Sequence, residues 1–174
     1  MEPSASRPTM PGYGVLSAHE GSGLLEWRWA ASRLESSHDY WLATVRPDGR
    51  PHNTPVWGVY FDRRLWFSCG TESRKVANLR LNPAVAVSTD LAFTPVLVEG
   101  RAEEVSHRDS VARFAERMDA KYETGYGVEF YSSNATIVVT PSKVIGIDGA
   151  DFVGSPTRWV FPNEPPARSD GSDG

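Results

Sequence analysis

The sequence predicts a mostly β (α+β) domain, in which six or seven antiparallel strands form a closed or partly closed barrel with two or three flanking helices. The first observation behind this prediction is a series of short β-rich runs that are separated by turn signals, with few crossover segments between them. The second is size, because 174 residues with 40% apolar content suffice to bury one core. Closely spaced antiparallel strands of this kind favour a barrel over a parallel sheet.

The first half of the chain predicts one helix and a three-stranded meander. Residues 26–37 (EWRWAASRLESS) place apolar residues at helical spacing, which indicates an amphipathic helix. Strands are predicted over 40–45 and 52–61, on either side of a Pro-Asp-Gly turn, and over 65–69 after a second turn. Pro55 lies inside the second strand, where its missing N–H group indicates an edge, a bulge or a strand start.

The second half predicts two more helices and the remaining strands. A short helix over 71–81 begins with Thr71 as its N-cap and ends before Pro83. Two strands follow over 84–90 and 95–105, and the second has a continuous apolar half that indicates burial on both faces.

The last part of the domain contains a helix with a capping pair, Ser106 and Asp109, at its start. Two strands that are broken by Pro141 come next, and a short apolar piece ends the domain. These elements cover, in order, 106–123, 134–141, 143–148 and 158–161.

Composition bounds the organisation of the chain and its partners. Residues 1–23 and 162–174 are rich in Pro, Gly and Ser; the first segment is predicted to be flexible and the second disordered. This leaves 24–161 as the single folded domain. A net charge of −4 argues against a nucleic-acid partner, and no apolar run is long enough for a membrane span. The lone Cys69 fits a cytoplasmic protein, and no motif has metal-ligand spacing, so we expect no metal.

The stretch TESRKVANLRLNP (71–83) concentrates basic residues between two predicted strands of an acidic chain. On a helix, Arg74 and Asn78 are four residues apart and Lys75 lies three before Asn78, so these groups share one side. Together with Ser73 and the backbone N–H groups of the first turn, they form a small site suited to an anion such as phosphate. In the alternative interpretation the same cations are solvated or paired with a neighbouring carboxylate.

Three motifs in order, YWLATVRPDGRPHNTPVWGVYF, SRKVANLRLNP and AVAVSTD, resemble the pyridoxamine 5'-phosphate oxidase-like, flavin-binding split-barrel superfamily. Within it, they are similar to the flavin/deazaflavin oxidoreductases of the B group. Weaker similarity continues through PVLVEGRAEEV, Lys121–Tyr122, VVTPSKVIGI and TRWVF, so that the resemblance covers about 24–161. It implies a six-stranded antiparallel split β-barrel that works as a homodimer, with two cofactors in grooves between the protomers.

The resemblance also implies a set of cofactor-binding residues. Basic residues of the helix over 71–81 would hold the cofactor phosphate, with Lys75 as the main ligand, and the cofactor ring would lie against the strand at 52–58. The last two residues of the set would come from the partner protomer. The set is Asn53, Thr54, Pro55, Val56, Trp57, Ser68, Thr71, Ser73, Arg74, Lys75, Asn78, Arg158 and Trp159.

The activity that the resemblance implies is hydride transfer between the reduced deazaflavin coenzyme F420 and a small unsaturated organic substrate of quinone, enone or tetrapyrrole type. FMN is the second choice of cofactor, and a non-catalytic carrier of a cofactor or tetrapyrrole is the alternative from another class. No catalytic side chain is assigned, because solvent can protonate the product. If a side chain acts as proton donor, the candidates are His52, Tyr126 and Tyr131.

Overall fold

Eight strands, four helices and one 3₁₀ turn make up the regular structure in the computed structural model, which describes residues 2–162. The strands are β1 (Ser4–Ser6), β2 (Asp39–Val45), β3 (Pro51–Phe61), β4 (Arg64–Cys69), β5 (Ala84–Thr89), β6 (Val96–Val105), β7 (Ala135–Gly146) and β8 (Thr157–Val160). The helices are α1 (Trp27–Ser36), α2 (Arg74–Leu81), α3 (Arg108–Tyr122) and α4 (Gly127–Ser132), and the 3₁₀ turn covers Gly149–Asp151.

Six of these strands close into a barrel. Neighbouring strands pair antiparallel in the order β7-β4-β3-β2-β5-β6, and β6 also pairs with β7, which closes the sheet on itself. Strand β8 pairs with the second half of β7, and β1 pairs with β8, so these two strands extend the sheet beyond the barrel. The predicted mostly β class and the six-stranded antiparallel barrel are therefore confirmed over residues 2–162.

Strand β3 changes neighbours part of the way along its length. Its residues 51–57 pair with β2, whereas 58–61 pair with β4. Among the described residues, the second edge of 51–57 therefore has no strand beside it. Pro55 lies in this part of the strand, where a residue without an N–H group costs no ladder hydrogen bond on the open side. This placement agrees with the edge position, which is one of the three alternatives expected from the sequence.

Strand β7 is continuous, so the prediction of two strands broken by Pro141 is wrong. A register shift between Glu99 and Gly100 of β6 takes up one extra residue of β7, Ser142, whose hydroxyl donates to the Glu99 carbonyl at 3.1 Å. Pro141 pairs with Gly100 beside this bulge. A Cβ at Gly100 would lie 2.4 Å from the Thr140 carbonyl oxygen, so only glycine fits there.

Two apolar clusters flank the barrel wall. The first fills the barrel and takes in Ala30 and Leu34 of α1 and Val76 and Leu79 of α2, so both helices pack against the interior. The second lies on the outside, where α3 and α4 cover β3, β4 and β7 through a group of mostly aromatic and branched side chains. Its buried members are Val59, Phe61, Trp66, Val111, Phe114, Ala115, Met118, Tyr131 and Val138.

Three helix predictions need correction. Helix α2 begins at Arg74 with Ser73 at the N-cap, not at Thr71, because the Ser73 N–H donates to the Gly70 carbonyl at 2.9 Å and closes a turn first. Helix α3 has His107 at its N-cap instead of the expected Ser106–Asp109 pair. Between the helix predicted over 106–123 and the strand predicted from 134, the structure adds the short helix α4, which was not predicted.

Part of the N-terminal segment joins the sheet. Residues 4–6 of the N-terminal segment expected to be flexible form β1, and Arg7 donates to the carbonyls of Gly154 at 2.7 Å and Pro156 at 2.8 Å. In the expected disordered tail, 163–174 lie outside the described residues. No helix within residues 2–162 has both the length and the apolar character needed to cross a membrane.

Candidate functional site

The basic residues of α2 lie directly after strand β4. Ser73 occupies the N-cap position, and its hydroxyl donates to the Cys69 sulfur at 3.6 Å. Arg74 is exposed and Lys75 is half-buried in the first turn, next to backbone N–H groups that have no helical partner. Three groups of the predicted anion site, Ser73, Arg74 and Lys75, are therefore together at the positive end of this helix.

A second set of polar groups faces these residues from the hairpin between β2 and β3. Thr44 and His52 are paired in register, and the Thr44 hydroxyl lies 3.4 Å from Nδ1 of His52. The buried amide of Asn78 on α2 donates from Nδ2 to the Thr44 hydroxyl at 2.9 Å. This bond ties the hairpin to α2 and gives the buried Asn78 amide a partner for its N–H group.

The pKa of His52 is sensitive to the positive charge of this region. Its pKa is lowered from the ordinary value first by burial, then by the positive charges of Arg46, Lys75 and Arg74. Side chains of Tyr40 and Leu42 in β2 belong to the interior cluster and Thr44 is buried, so the inward side of this strand continues to half-buried Arg46. We name Arg46, His52, Ser73, Arg74 and Lys75 the anion cluster.

Within residues 2–162, the cations of the anion cluster have no carboxylate within ion-pair distance; hydrogen bonds from Arg50 mainly lower the pKa of Asp48, and the charge of Arg46 adds to this only at longer range. Among the described residues, Arg46, Arg74 and Lys75 form no ion pair with a carboxylate. By contrast, Arg80, later in α2, pairs with Glu104 at 3.2 Å. The interpretation in which the α2 cations simply pair with a neighbouring carboxylate therefore does not hold for Arg74 and Lys75 in residues 2–162. An unpaired group of three cations is an arrangement that a bound anion stabilises.

The predicted ring-binding strand divides its side chains between two sides of the wall. Val56 faces the interior cluster, so His52 and Thr54 share that side, whereas Asn53, Pro55 and Trp57 lie on the outside. Trp57 is 48% exposed and stacks on Tyr122, with ring centroids 4.5 Å apart and planes 4° apart. The outer side of β3 therefore offers a fixed aromatic surface.

Several buried polar atoms near this strand have no hydrogen-bond partner in residues 2–162. They include Thr54 Oγ1, Ser68 Oγ, Asn78 Oδ1 and Arg46 Nε. Buried polar atoms are normally satisfied, so unsatisfied ones indicate a missing ligand or water. Three of the four belong to residues predicted to bind the cofactor, and a group that carries both hydroxyls and a phosphate matches their mix of donors and acceptors. The residues thus fit a flavin-type cofactor.

Not every predicted site residue joins this group. Thr71 is exposed in the turn before α2. Trp159 is 1% exposed and belongs to the interior cluster, where its ring meets Trp27 edge-on at 5.6 Å. Arg158 donates from Nη2 to the Ser6 hydroxyl at 3.0 Å, which holds β1 against β8. The structure therefore places Trp159 in the core and does not bring either residue to the anion cluster of its own protomer.

The candidate proton donors differ in their surroundings. Tyr131 is buried in the outer apolar cluster and its hydroxyl lies 3.4 Å from Asp119 Oδ1; burial is the largest cause that raises its pKa. Tyr126 is 51% exposed and stacks on Phe130 at 4.5 Å. His52, with its lowered pKa, is the candidate that belongs to the anion cluster.

Sequence reasoning missed Arg46 and Thr44. Thr44 lies on the inward side of β2, and Arg46 follows the last residue of this strand; the alternation from Leu42 through Thr44 to Arg46 is the signal that could have identified them. Their neighbourhood with His52 follows from the hairpin, in which the Arg46 N–H donates to the Arg50 carbonyl at 2.9 Å.

Comparisons with known proteins agree with this fold. The family model described as pyridoxamine 5'-phosphate oxidase matches residues 30–148, more than half of the chain. A solved structure described as an F420 reductase is 30% identical, covers 65% of this chain and 93% of its own, and has a TM-score of 0.55. A comparison with curated proteins found no match.

Two further structures show the same fold at lower identity. A conserved hypothetical protein from Mycobacterium tuberculosis is 21% identical over 92% of this chain and 99% of its own, with a TM-score of 0.63. An FAD-binding protein from Mesorhizobium loti is 18% identical over 79% of this chain and 96% of its own, with a TM-score of 0.57.

The closed six-stranded barrel is that of the split-barrel class. The chain belongs to the pyridoxamine 5'-phosphate oxidase-like family. Its fold is an oxidoreductase fold, and the family together with the F420 reductase match supports a cofactor of flavin type.

Proposed function

We propose that this chain is a cytoplasmic oxidoreductase that transfers a hydride between reduced coenzyme F420 and a small unsaturated organic substrate, such as a quinone, an enone or a tetrapyrrole. FMN is the second choice of cofactor. The observation that carries the proposal is the basic first turn of α2, where Arg74 and Lys75 have no carboxylate within ion-pair distance among residues 2–162. The similarity to an F420 reductase supports the choice of deazaflavin.

The α2 part of the anion cluster, Ser73, Arg74 and Lys75, would hold the phosphate of the cofactor. Ser73 supplies a hydroxyl, the first turn of α2 supplies backbone N–H groups, and Arg74 and Lys75 supply charge. Hydrogen bonds between ionised partners contribute about 1.5–3 kcal/mol each, so two or three of them suffice to anchor a phosphate. Because the chain as a whole is negatively charged, an anion is attracted to this local group of positive charges and not to the protein surface in general.

The outer side of β3 would hold the ring. Residues 51–57 have backbone groups on the edge that no described strand covers, and Trp57 is kept in one orientation by its stack on Tyr122. The bound ring supplies the hydride chemistry, while the protein supplies orientation and exclusion of water. In this proposal no side chain acts as an obligatory acid.

A homodimer is part of the proposal. The outer side of the sheet exposes large apolar side chains, of which Trp41 is 45%, Trp57 48% and Leu97 42% exposed. Their strands β2, β3 and β6 belong to one continuous part of the barrel wall, together with β5. A second copy placed over this face would bury the apolar area and close the groove beside β3. Sedimentation analysis, in which a monomer would contradict this part, tests it directly.

The test of the cofactor uses protein made in a host that lacks F420. We expect a colourless protein that quenches F420 fluorescence on binding, whereas a tightly held FMN would give a yellow one. Turnover is then followed as oxidation of reduced F420 with a panel of quinones, enones and biliverdin. Tight binding of F420 without turnover of any of these substrates would contradict the enzymatic function and would favour the alternative of a non-catalytic carrier.

A matched pair of double variants tests the site. Arg74→Ala with Lys75→Ala removes two unpaired cations, whereas Arg80→Ala with Lys143→Ala removes two that are paired with Glu104 and Glu99. Both change the net charge equally. We expect loss of F420 binding in the first variant alone, and equal losses in both would contradict the assignment of the site.

A further inference from the structure

The hairpin between β2 and β3 supplies polar groups that the cofactor proposal leaves unused. Arg46 has a buried Nε atom without a partner in the described residues, although guanidinium donors are rarely left unsatisfied. His52 is half-buried beside it, and its Nδ1 atom is directed at Thr44. The other ring nitrogen, Nε2, is therefore the one left for a ligand.

We propose that Arg46 and His52 bind the cofactor phosphate from the hairpin while α2 binds it from the other side, and that His52 takes up a proton when the phosphate binds. This inference rests on the proposed function, because it concerns the same phosphate. It assigns to two residues outside the predicted cofactor set a direct role as ligands, and it makes cofactor binding dependent on pH.

The geometry supports a fixed position for His52. Thr44 contacts the ring, and Asn78 on α2 donates to Thr44 at 2.9 Å, so the imidazole is held against the helix that carries Lys75. Thr44 is 2% and Asn78 is 1% exposed, which makes this chain of contacts rigid. The hairpin and α2 therefore form two walls of one site, with Thr44 and Asn78 as positioning residues between them.

The charges around His52 give the direction of the proton transfer. The groups that act on it are Arg46 at the end of β2 and Arg74 and Lys75 on α2, all positive, and with burial they lower its pKa. The free protein therefore holds a neutral ring at pH 7. A phosphate placed among these cations offsets their charge and offers an acceptor, so it raises the pKa of His52 and the ring gains a proton from solvent.

Linkage gives the sign of the effect on affinity. For a ligand that keeps its own protonation state, the complex binds one more proton than its components between the His52 pKa of the free protein and that of the complex. Affinity therefore rises as pH falls through the pKa of the complex and levels off below that of the free protein. The slope has a limit of about tenfold per pH unit for one proton.

The first experiment follows the His52 ring by NMR between about pH 5 and pH 8. The signal is assigned by its loss in His52→Gln, with exposed His19→Gln as the control. We expect inorganic phosphate to raise the pKa of His52 relative to sodium chloride of equal ionic strength. The probe needs no flavin, so this measurement tests the anion site even if the cofactor proposal fails.

The second experiment measures F420 and FMN affinity over the same pH range. Wild type and His19→Gln should bind more tightly at lower pH, and His52→Gln should show a flatter profile. Arg46→Ala should weaken binding about tenfold or more, whereas Arg50→Ala, whose side chain pairs with Asp48 in the turn, should not. Arg46→Gln replaces Arg46→Ala if the latter does not fold, as judged by circular dichroism.

The outcomes separate the two proposals. If F420 or FMN binds but the pH profile is flat in wild type and Arg46→Ala binds normally, this inference is wrong and the proposed function stands. If neither cofactor binds but phosphate raises the pKa of His52, the anion site stands without the proposed function. If neither cofactor binds and phosphate leaves His52 unmoved, both are wrong.

Discussion

Lys75 and Lys121 both act on strand β3, but their surroundings differ. Lys121, near the end of α3, donates from Nζ to the carbonyls of Ser37 at 2.5 Å and Gly58 at 2.7 Å. Lys75 makes no ion pair in residues 2–162 and lies among other cations that act on His52. The chain therefore satisfies one lysine with its own backbone, whereas the charge of the other is unpaired among the described residues, where the proposal places a phosphate.

The largest effect on stability is expected at Lys121. Lys121→Met keeps an apolar stem of similar length but removes the donor to the Ser37 carbonyl, whereas the Gly58 carbonyl keeps its bond from the Tyr122 hydroxyl at 3.1 Å. Leaving a buried acceptor unsatisfied costs about 1–3 kcal/mol in the free energy of unfolding. Chemical denaturation measures the change. Lys143→Met is the control, because Lys143 pairs with Glu99 at the surface, where such pairs contribute less than about 1 kcal/mol. Equal midpoints for wild type and Lys121→Met would contradict the structural role.

The next effect is on cofactor affinity. Lys75→Ala should weaken F420 binding by about 1–3 kcal/mol, since it removes a charge-assisted hydrogen bond to the phosphate. The free energy of unfolding should stay within about 0.5 kcal/mol of wild type, as for other surface changes. Fluorescence titration measures the affinity, with Lys143→Ala as the matched control. An unchanged dissociation constant would remove Lys75 from the site. If Lys75→Ala fails to fold, Lys75 has a structural role like that of Lys121.

A smaller effect is expected in the pH dependence of stability. Burial lowers the pKa of Lys121 to about 8, against the opposing influence of Asp39 and Asp90. Because the unfolded chain then holds the proton to higher pH than the folded one, stability attributable to Lys121 rises from about pH 8 upward. Tyr40 and Tyr122, whose pKa values burial raises, titrate in the folded protein above this window. Denaturation at about pH 7.5 and pH 9.5 should show a smaller gain in Lys121→Met than in Lys143→Met; the same gain in both would contradict the pKa shift.

The elements that the sequence predicted well are those set by local pattern. The Pro-Asp-Gly turn and the alternation of 40–45 and 52–61 predicted the hairpin, and the spacing in 71–83 predicted the basic side of α2. Local chemistry decides both, because side-chain alternation and turn residues depend only on near neighbours.

Features that depend on contacts between distant parts of the chain were not predicted from the sequence. The continuity of β7 through Pro141 needs a bulge opposite β6, which lies some forty residues away in the chain. The burial of Trp159 depends on its contact with Trp27 at the other end of the domain. Arg46 is recognised as part of the anion cluster only once the hairpin register and the position of α2 are both known. Long-range pairing of this kind leaves no local signal.

The smallest effect is expected at Arg80. Because Arg74 and Arg80 lie on the same helix and carry the same charge, a comparison of their variants separates the effect of position from the effect of charge. The guanidinium of Arg80 pairs with Glu104 at 3.2 Å on an exposed surface, and such pairs contribute about 0–1 kcal/mol to stability. Arg80→Ala should therefore leave both the unfolding midpoint and F420 affinity close to wild type, whereas Arg74→Ala should weaken binding. Titrations of both variants at one ionic strength make the comparison, because each removes the same charge from the same helix. Equal losses of affinity would mean that the positive charge of α2 as a whole attracts the anion, and that the placement of Arg74 and Lys75 at its first turn is not what holds it.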